Sequence, residues 1–245
     1  MLKKLAKLEP APPWSYLNAL TAFIGMVIAV MLIGATVALT LFGDETPSTL
    51  IVGWSIGMLL TVIFVMGSYS RRDDWVAAMR IAPTRARLPI IGLFAFGMAV
   101  LFDLIGWLIV NEQTLSSAEL IRYATSETDI TVFGWLIAAV FLLILQPIGE
   151  ELVLRGVMYP SMRAPLGAWL GFAAVAAFHA LFHFAVYTPP GDNQTILIWY
   201  GLLLPFLDGL LLTGIRAYTG STRAAIIAHV GINIFILIKA ITFAM

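Results

Sequence analysis

Apolar stretches of twenty residues or more recur along this chain, and few kinds of fold can accommodate them. A helix needs about 20 mostly apolar residues to cross the hydrocarbon core of a bilayer. Seven segments meet that requirement: 17–42, 49–68, 88–110, 131–158, 166–187, 194–215 and 224–244. Only 11% of the 245 residues are charged and 60% are hydrophobic, whereas a soluble domain carries roughly 25% charged residues. So little polar surface cannot solvate a globule of this size. The expected fold is all-α, a polytopic transmembrane helix bundle of about seven spans, with the lipid bilayer as its surroundings.

Several function classes drop out early. The formal net charge is zero, which gives no basis for a nucleic-acid partner. The chain has no cysteine, which removes disulfides, thiolate metal sites and thiol nucleophiles together. The basic start, with Lys3, Lys4 and Lys7, is like that of a signal peptide. Glu9 and Pro10 follow it, however, and the next apolar run is far longer than a signal h-region of about 7–15 residues. It reads as an uncleaved first span.

Basic residues are retained on the cytoplasmic side of a membrane. With the N-terminus inside, one set of loops holds Lys3, Lys4, Lys7, Arg71, Arg72, Arg80, Arg85, Arg87, Arg155, Arg163, Arg216 and Arg223. The other set holds Arg122, with Lys239 near the outer end of the last span. Twelve against two predicts a cytoplasmic N-terminus and an external C-terminus. The 69–87 stretch reads either as an interfacial helix or as an Arg-rich topology loop, and the polar 111–129 loop adds nothing.

Charged groups at mid-bilayer cost about 2.5–3.5 kcal/mol each on insertion scales, so those that persist there need a reason. Away from span ends the charged or polar candidates are Asp103, Glu150, Glu151, His179, His183, Asp208, His229 and Asn233, a set that includes every histidine in the protein. Residues four apart share a helix face. His179 and His183 are such a pair, as are His229 and Asn233, and Glu151 and Arg155. Arg155 therefore neutralises Glu151, while Glu150, rotated about 100° away, is left without a local partner and open to chemistry. Structural roles are the first expectation for Asp103 and Asp208, and packing for Phe178, Phe182 and Phe184.

These residues resemble the three motifs of the CAAX prenyl endopeptidase and bacteriocin-processing (CPBP, or ABI) intramembrane proteases. E-E-x-x-x-R reads Glu150-Glu151-Leu-Val-Leu-Arg155, F-x-x-x-H ends on His183, and H-x-x-x-N reads His229-Val-Gly-Ile-Asn233. Gly156, the Leu166–Trp169 stretch and Thr219-Gly220-Ser221 agree with the family's flanks. The resemblance covers about residues 130–240, which divides the chain into N-terminal spans (1–129) and a CPBP-like catalytic core (130–245). One position departs, since His179 stands where the family has an aromatic residue. It is either a flat-ring substitute or an extra ligand or proton carrier. Depth, counted for Glu150 from a turn near Pro160 and for the histidines from Trp169 at the interface, favours His179 as the working histidine, while motif spacing favours His183, which is adopted.

The resemblance implies an intramembrane endopeptidase in which Glu150 and His183 activate a water and His229 and Asn233 stabilise the oxyanion. Glu151, Arg155 and His179 would support them. Glu150, His183 and His229 would also make a zinc set, since two histidines and a glutamate are a common catalytic combination. The same residues work as metal-free acid–base groups, and the sequence leaves both open. The expected partner is a peptide or membrane-protein substrate, cut near the cytoplasmic face of what reads as a bacterial cell membrane. A proton- or ion-coupled transporter is the alternative from another class, but no internal repeat supports it. An inactive immunity or scaffold protein is the third reading, and the intact polar set argues against it.

Overall fold

The computed structural model describes residues 2–42, 47–110, 132–188 and 193–244, and every regular element among them is helical. The 111–129 loop and Arg122 lie outside the described residues. A short α1 (Leu2–Leu5) precedes α2, which runs Tyr16–Ile28, then a π turn at Ala29–Ile33, then Gly34–Phe42. Next come α3 (Pro47–Tyr69), a single turn α4 (Trp75–Ala78) and α5 (Leu88–Val110). Helix α6 begins at Val132–Val140 and reaches Gln146–Glu151 through a π turn at Phe141–Leu145; a second π segment, Leu152–Met158, carries it into α7 (Tyr159–Tyr187). Helix α8 passes from Gln194–Ile198 through a π turn at Trp199–Leu203 to Leu204–Thr219, and α9 spans Thr222–Ala244. Of the 69–87 stretch, only α4 is helical for more than a turn's start.

Six of these stretches are long and apolar enough to cross a membrane, so the expected seven is close. The difference lies in the fourth, Gly134–Tyr187, which runs 54 residues without a loop. Straight, it would measure roughly 80 Å against a hydrocarbon core of about 30 Å. It is folded in two. A Cβ on Gly171 would lie 2.9 Å from the Arg163 Cα, although eight residues of straight helix span roughly 12 Å. The reversal is at Gly167, whose φ of 77° and ψ of 179° fall in a region that is essentially glycine-only. The segments expected at 131–158 and 166–187 are thus two antiparallel arms, and the turn lies at Gly167 and not near Pro160.

Outward faces are apolar, as a lipid-facing surface requires: Leu93 is 72% exposed and Leu108 68%. Inward, small residues let backbones meet, the usual basis of helix association in lipid. At the crossing of α5 and α9 a Cβ on Gly231 would fall 2.2 Å from the Gly92 carbonyl oxygen. Asp103 of α5 and Lys239 of α9 form an ion pair at the same interface.

The N-terminal residues, read from the sequence as a topology signal, are stapled to the arms that follow. Arg163 Nη2 donates to the Leu5 carbonyl (2.8 Å) and Trp14 Nε1 to the Val157 carbonyl (3.1 Å). Arg216 grips both oxygens of Glu9 at 2.7 and 2.8 Å. Burial alone would raise the Glu9 carboxyl, but the Arg216 hydrogen bonds and the charges of Arg216, Arg80 and Arg163 outweigh it and hold it below the ordinary glutamate value. Arg155 and Arg216, counted above among loop cations, are both fully buried inside the bundle.

Two outcomes follow for thermal unfolding in detergent. Gly231→Ala should cost about 1–3 kcal/mol through overpacking, while Gly97→Ala, with nothing within 4 Å of the new methyl, should be near neutral. Equal midpoints would contradict the close crossing. Because the folded Glu9 pKa is depressed, its contribution is complete above the unfolded value and is lost as pH falls below it, through the folded one. Glu9→Gln should therefore lower stability by about 1–3 kcal/mol at pH 7 and flatten the acid-side decline. An unchanged decline would assign it to other carboxylates.

Candidate active site

Four helices bring polar side chains to one place inside the bundle. Helix α6 supplies Gln146, Glu150, Glu151 and Arg155; α7 supplies His179, His183 and Tyr187; α8 supplies the Gly209 carbonyl and Asp208; α9 supplies His229 and Asn233. Glu150, Glu151 and Arg155 have no exposed side-chain surface. The His183 side chain keeps 12%, against 1% for His179 and 3% for His229. The cluster's open side is therefore at His183.

The register of the α6–α7 hairpin explains which histidine meets Glu150. Glu150 lies seventeen residues before Gly167 and His183 sixteen after it, so the two arms carry them to the same level. His183 Nε2 is 3.1 Å from Glu150 Oε2, and His179 Nδ1 is 3.7 Å from the same oxygen. The two imidazoles lie nearly face to face, 4.3 Å apart at 31°. With the reversal at Gly167, depth no longer favours His179.

Glu151 uses one oxygen, Oε1, to accept from Arg155 Nη1 (2.9 Å) and from His229 Nδ1 (3.0 Å). His229 is thus a partner of Glu151 and not of Glu150, the carboxylate with which it was grouped in the expected zinc set. A guanidinium can only donate. Its 3.1 Å contact with His179 Nδ1 therefore requires a lone pair there and puts that ring's proton on Nε2. Arg155 Nη2 completes the set by donating to the Gly209 carbonyl at 3.0 Å.

Asn233 is engaged on both N–H groups of its amide. Its amide nitrogen donates to the Leu142 carbonyl (2.7 Å) and to Gln146 Oε1 (3.1 Å). The π turn explains the first bond: Gln146 N–H reaches back five residues to the Phe141 carbonyl, so the next donor in that pattern would serve Leu142. That next residue is Pro147, which has no N–H. Asn233 fills the vacancy and fixes the irregular turn just before Glu150.

Glu150 Oε1, Glu151 Oε2, Tyr187 Oη and Asp208 Oδ1 are buried without a hydrogen-bond partner among the described residues. Gln146 and Tyr187 are the further polar neighbours of the Glu150 carboxyl group. Asp208 lies within electrostatic reach of His183, His229 and Arg155. Gln146 and Tyr187 were missed in the sequence, although each signals itself by spacing: Gln146 is four residues before Glu150 and Tyr187 four after His183. Asp208 was noticed and assigned a structural role.

Glu150, His179 and His183 each bring one ligand atom within 4.8 Å of the others, a group that could hold a metal ion. This differs from the expected trio, in which His229 stood in place of His179. The fit is incomplete, because Arg155 engages the His179 Nδ1 lone pair that a metal would need and sets a fixed positive charge beside it.

Residues 132–235 match the family model for Type II CAAX prenyl endopeptidase Rce1-like proteins. The matched segment begins with α6, ends two residues past Asn233 and contains the whole cluster. No curated protein and no solved structure matches the chain significantly.

Arg155→Ala would leave Glu151 buried without its cation, at a cost of about 3–5 kcal/mol in unfolding experiments. Arg155→Lys, a point charge that cannot reproduce the planar fork, should fall between the two. An alanine variant as stable as the parent would contradict the buried pairing of Arg155 with Glu151.

Proposed function

We propose that this multi-pass membrane protein, whose 132–235 segment matches the model of the Type II CAAX prenyl endopeptidase Rce1-like family, is an endopeptidase that uses Glu150 as its base. The observation that carries the reading is the Glu150 carboxylate itself. One oxygen is fixed by His183 at 3.1 Å, and the other makes no hydrogen bond among the described residues, with Gln146 and Tyr187 as polar neighbours of the group. A carboxylate held on one side and unengaged on the other is suited to take a proton from water.

In the reaction we infer, Glu150 Oε1 removes a proton from water, and the hydroxide oxygen bonds to the carbon of the scissile carbonyl. The C=O π pair moves onto oxygen. His229, whose Nδ1–H is held by Glu151, donates from Nε2 to that oxyanion when its ring carries both protons. The tetrahedral species collapses with cleavage of the C–N bond, and the proton on Glu150 passes to the leaving amine. His183, at the open side, orients Glu150 and borders the incoming peptide. Asn233 acts as a positioning residue through Leu142 and Gln146, because both bonds of its amide nitrogen are already engaged.

A divalent ion such as zinc, if held by Glu150, His179 and His183, would supply a Lewis acid at the same place. The Arg155–His179 hydrogen bond favours the metal-free route. On the positive-inside pattern, the N-terminus is cytoplasmic.

Glu150→Gln keeps the shape and removes the base. Assayed on a library of membrane-tethered peptides with products read by mass spectrometry, it should lower the rate by about 10²–10⁴-fold with an unchanged melting midpoint. Products formed at the parental rate would sink the proposal. Chelator-treated, metal-analysed protein should keep its activity; loss restored by zinc would reinstate the metal.

A further inference from the structure

Away from the buried cluster, a recess of about 620 Å³ opens where α5 begins, α8 ends and α9 begins. That volume lies within the range of small-molecule sites, about 300–1,000 Å³. Its lining includes Lys4, Arg80 and Arg85, together with the hydroxyls of Tyr218 and Ser221, and no acidic side chain among the described residues. Three cations around an open recess without a lining carboxylate select for an anion.

The recess is held in shape by the backbone around it. Arg80 sits at φ 56°, in the left-handed region that non-glycine residues seldom take. It is kept there by the turn between α8 and α9: Thr222 N–H donates to the Arg80 carbonyl (3.0 Å), and Thr222 Oγ1 donates to the Met79 carbonyl (2.5 Å). Lys4 Nζ lies 4.5 Å over the Tyr218 ring, a cation–π contact that brings the N-terminal charge to the rim. Glu9 touches one of these cations, Arg80, but at the longer distance of 3.9 Å, and Arg216 already grips both its oxygens.

Two further features say which anion. The recess lies at the level where three apolar helices end, which is where a bilayer presents its headgroups. Its edge also carries exposed apolar surface from Val76 and Tyr218. A cationic floor with an apolar rim at the membrane surface matches an amphiphile better than a free ion. We propose that this recess binds the phosphate of an anionic phospholipid headgroup, Arg80 and Arg85 pairing with its oxygens and Lys4 closing over it.

The test uses the full-length protein, delipidated in detergent and offered phosphatidylglycerol or phosphatidylcholine, with bound lipid counted by native mass spectrometry. Phosphatidylglycerol should be retained about tenfold more tightly, and Lys4→Ala/Arg85→Ala should erase that preference. Both residues are exposed, so the melting midpoint should be unmoved. Arg71→Ala, an exposed cation outside the recess, should keep the preference. Equal retention of the two lipids would overturn the proposal, as would equal loss in the Arg71 variant. Displacement by millimolar inorganic phosphate would assign the recess to a soluble anion and would also overturn it. The readout is lipid binding, independent of whether Glu150 performs hydrolysis.

Discussion

Two carboxylates side by side on one helix, buried inside a membrane protein, set the terms for everything packed around them. Each charge buried in a low-dielectric interior must be paired or must shed its charge, and adjacent positions on a helix point about 100° apart. One partner cannot serve both. Arg155, one turn on, reaches Glu151, which leaves Glu150 to be met from another helix. The hairpin at Gly167 does this by returning α7 beside α6 in a register that sets His183 level with Glu150. Helix α9 then adds His229 to the Glu151 side. The order of the last four helices is thus a solution to a desolvation problem.

Arg155 is where the two halves of that solution join. One of its nitrogens bridges Glu151 and His179, and another holds the Gly209 carbonyl, so a single planar fork ties α6, α7 and α8 together. His179, at the place where the family resemblance leads one to expect an aromatic side chain, keeps the flat ring and adds a lone pair that the guanidinium uses. The π segments on either side of the glutamates, Phe141–Leu145 and Leu152–Met158, leave backbone groups that ordinary helix would satisfy. Asn233 answers one of them at Leu142. Irregular helix of this kind is common at functional sites, and here its repair is assigned to a residue of the motif itself.

Much of this was legible in the sequence, for local reasons. Apolar runs mark spans because their length answers to the bilayer, and Glu151 with Arg155 is a pair because one helical turn separates them. The same arithmetic would have found Gln146 and Tyr187, one turn from Glu150 and His183, had polar neutral residues been weighed beside the charged ones. What spacing could not reveal is partnership between distant parts of the chain. Glu9 and Arg216 are 207 residues apart, and nothing local marks either as the other's counterion. The reversal at Gly167 was obscured for another reason. Helix continues on both sides of it, and the signal is one glycine's backbone conformation, which the leucine, alanine and tryptophan around it do not advertise.

The charge left over in the cluster connects burial to the proposed chemistry. Glu150, Glu151 and Arg155 together carry one negative charge more than positive, and Asp208 adds a carboxyl group within reach of His183 and His229. An enclosed site with a surplus negative charge is relieved by a proton, whether it arrives on an imidazole or on Glu150. In the proposed hydrolysis, proton transfer from water to Glu150 moves the negative charge from the carboxylate to the hydroxide and leaves the net charge of the site unchanged. The same charge then passes to the oxyanion, which the proposed reaction assigns to His229. In the proposed reaction the base is accordingly the carboxylate that Arg155 leaves to another helix, so the pairing that stabilises the bundle also selects the group that reacts.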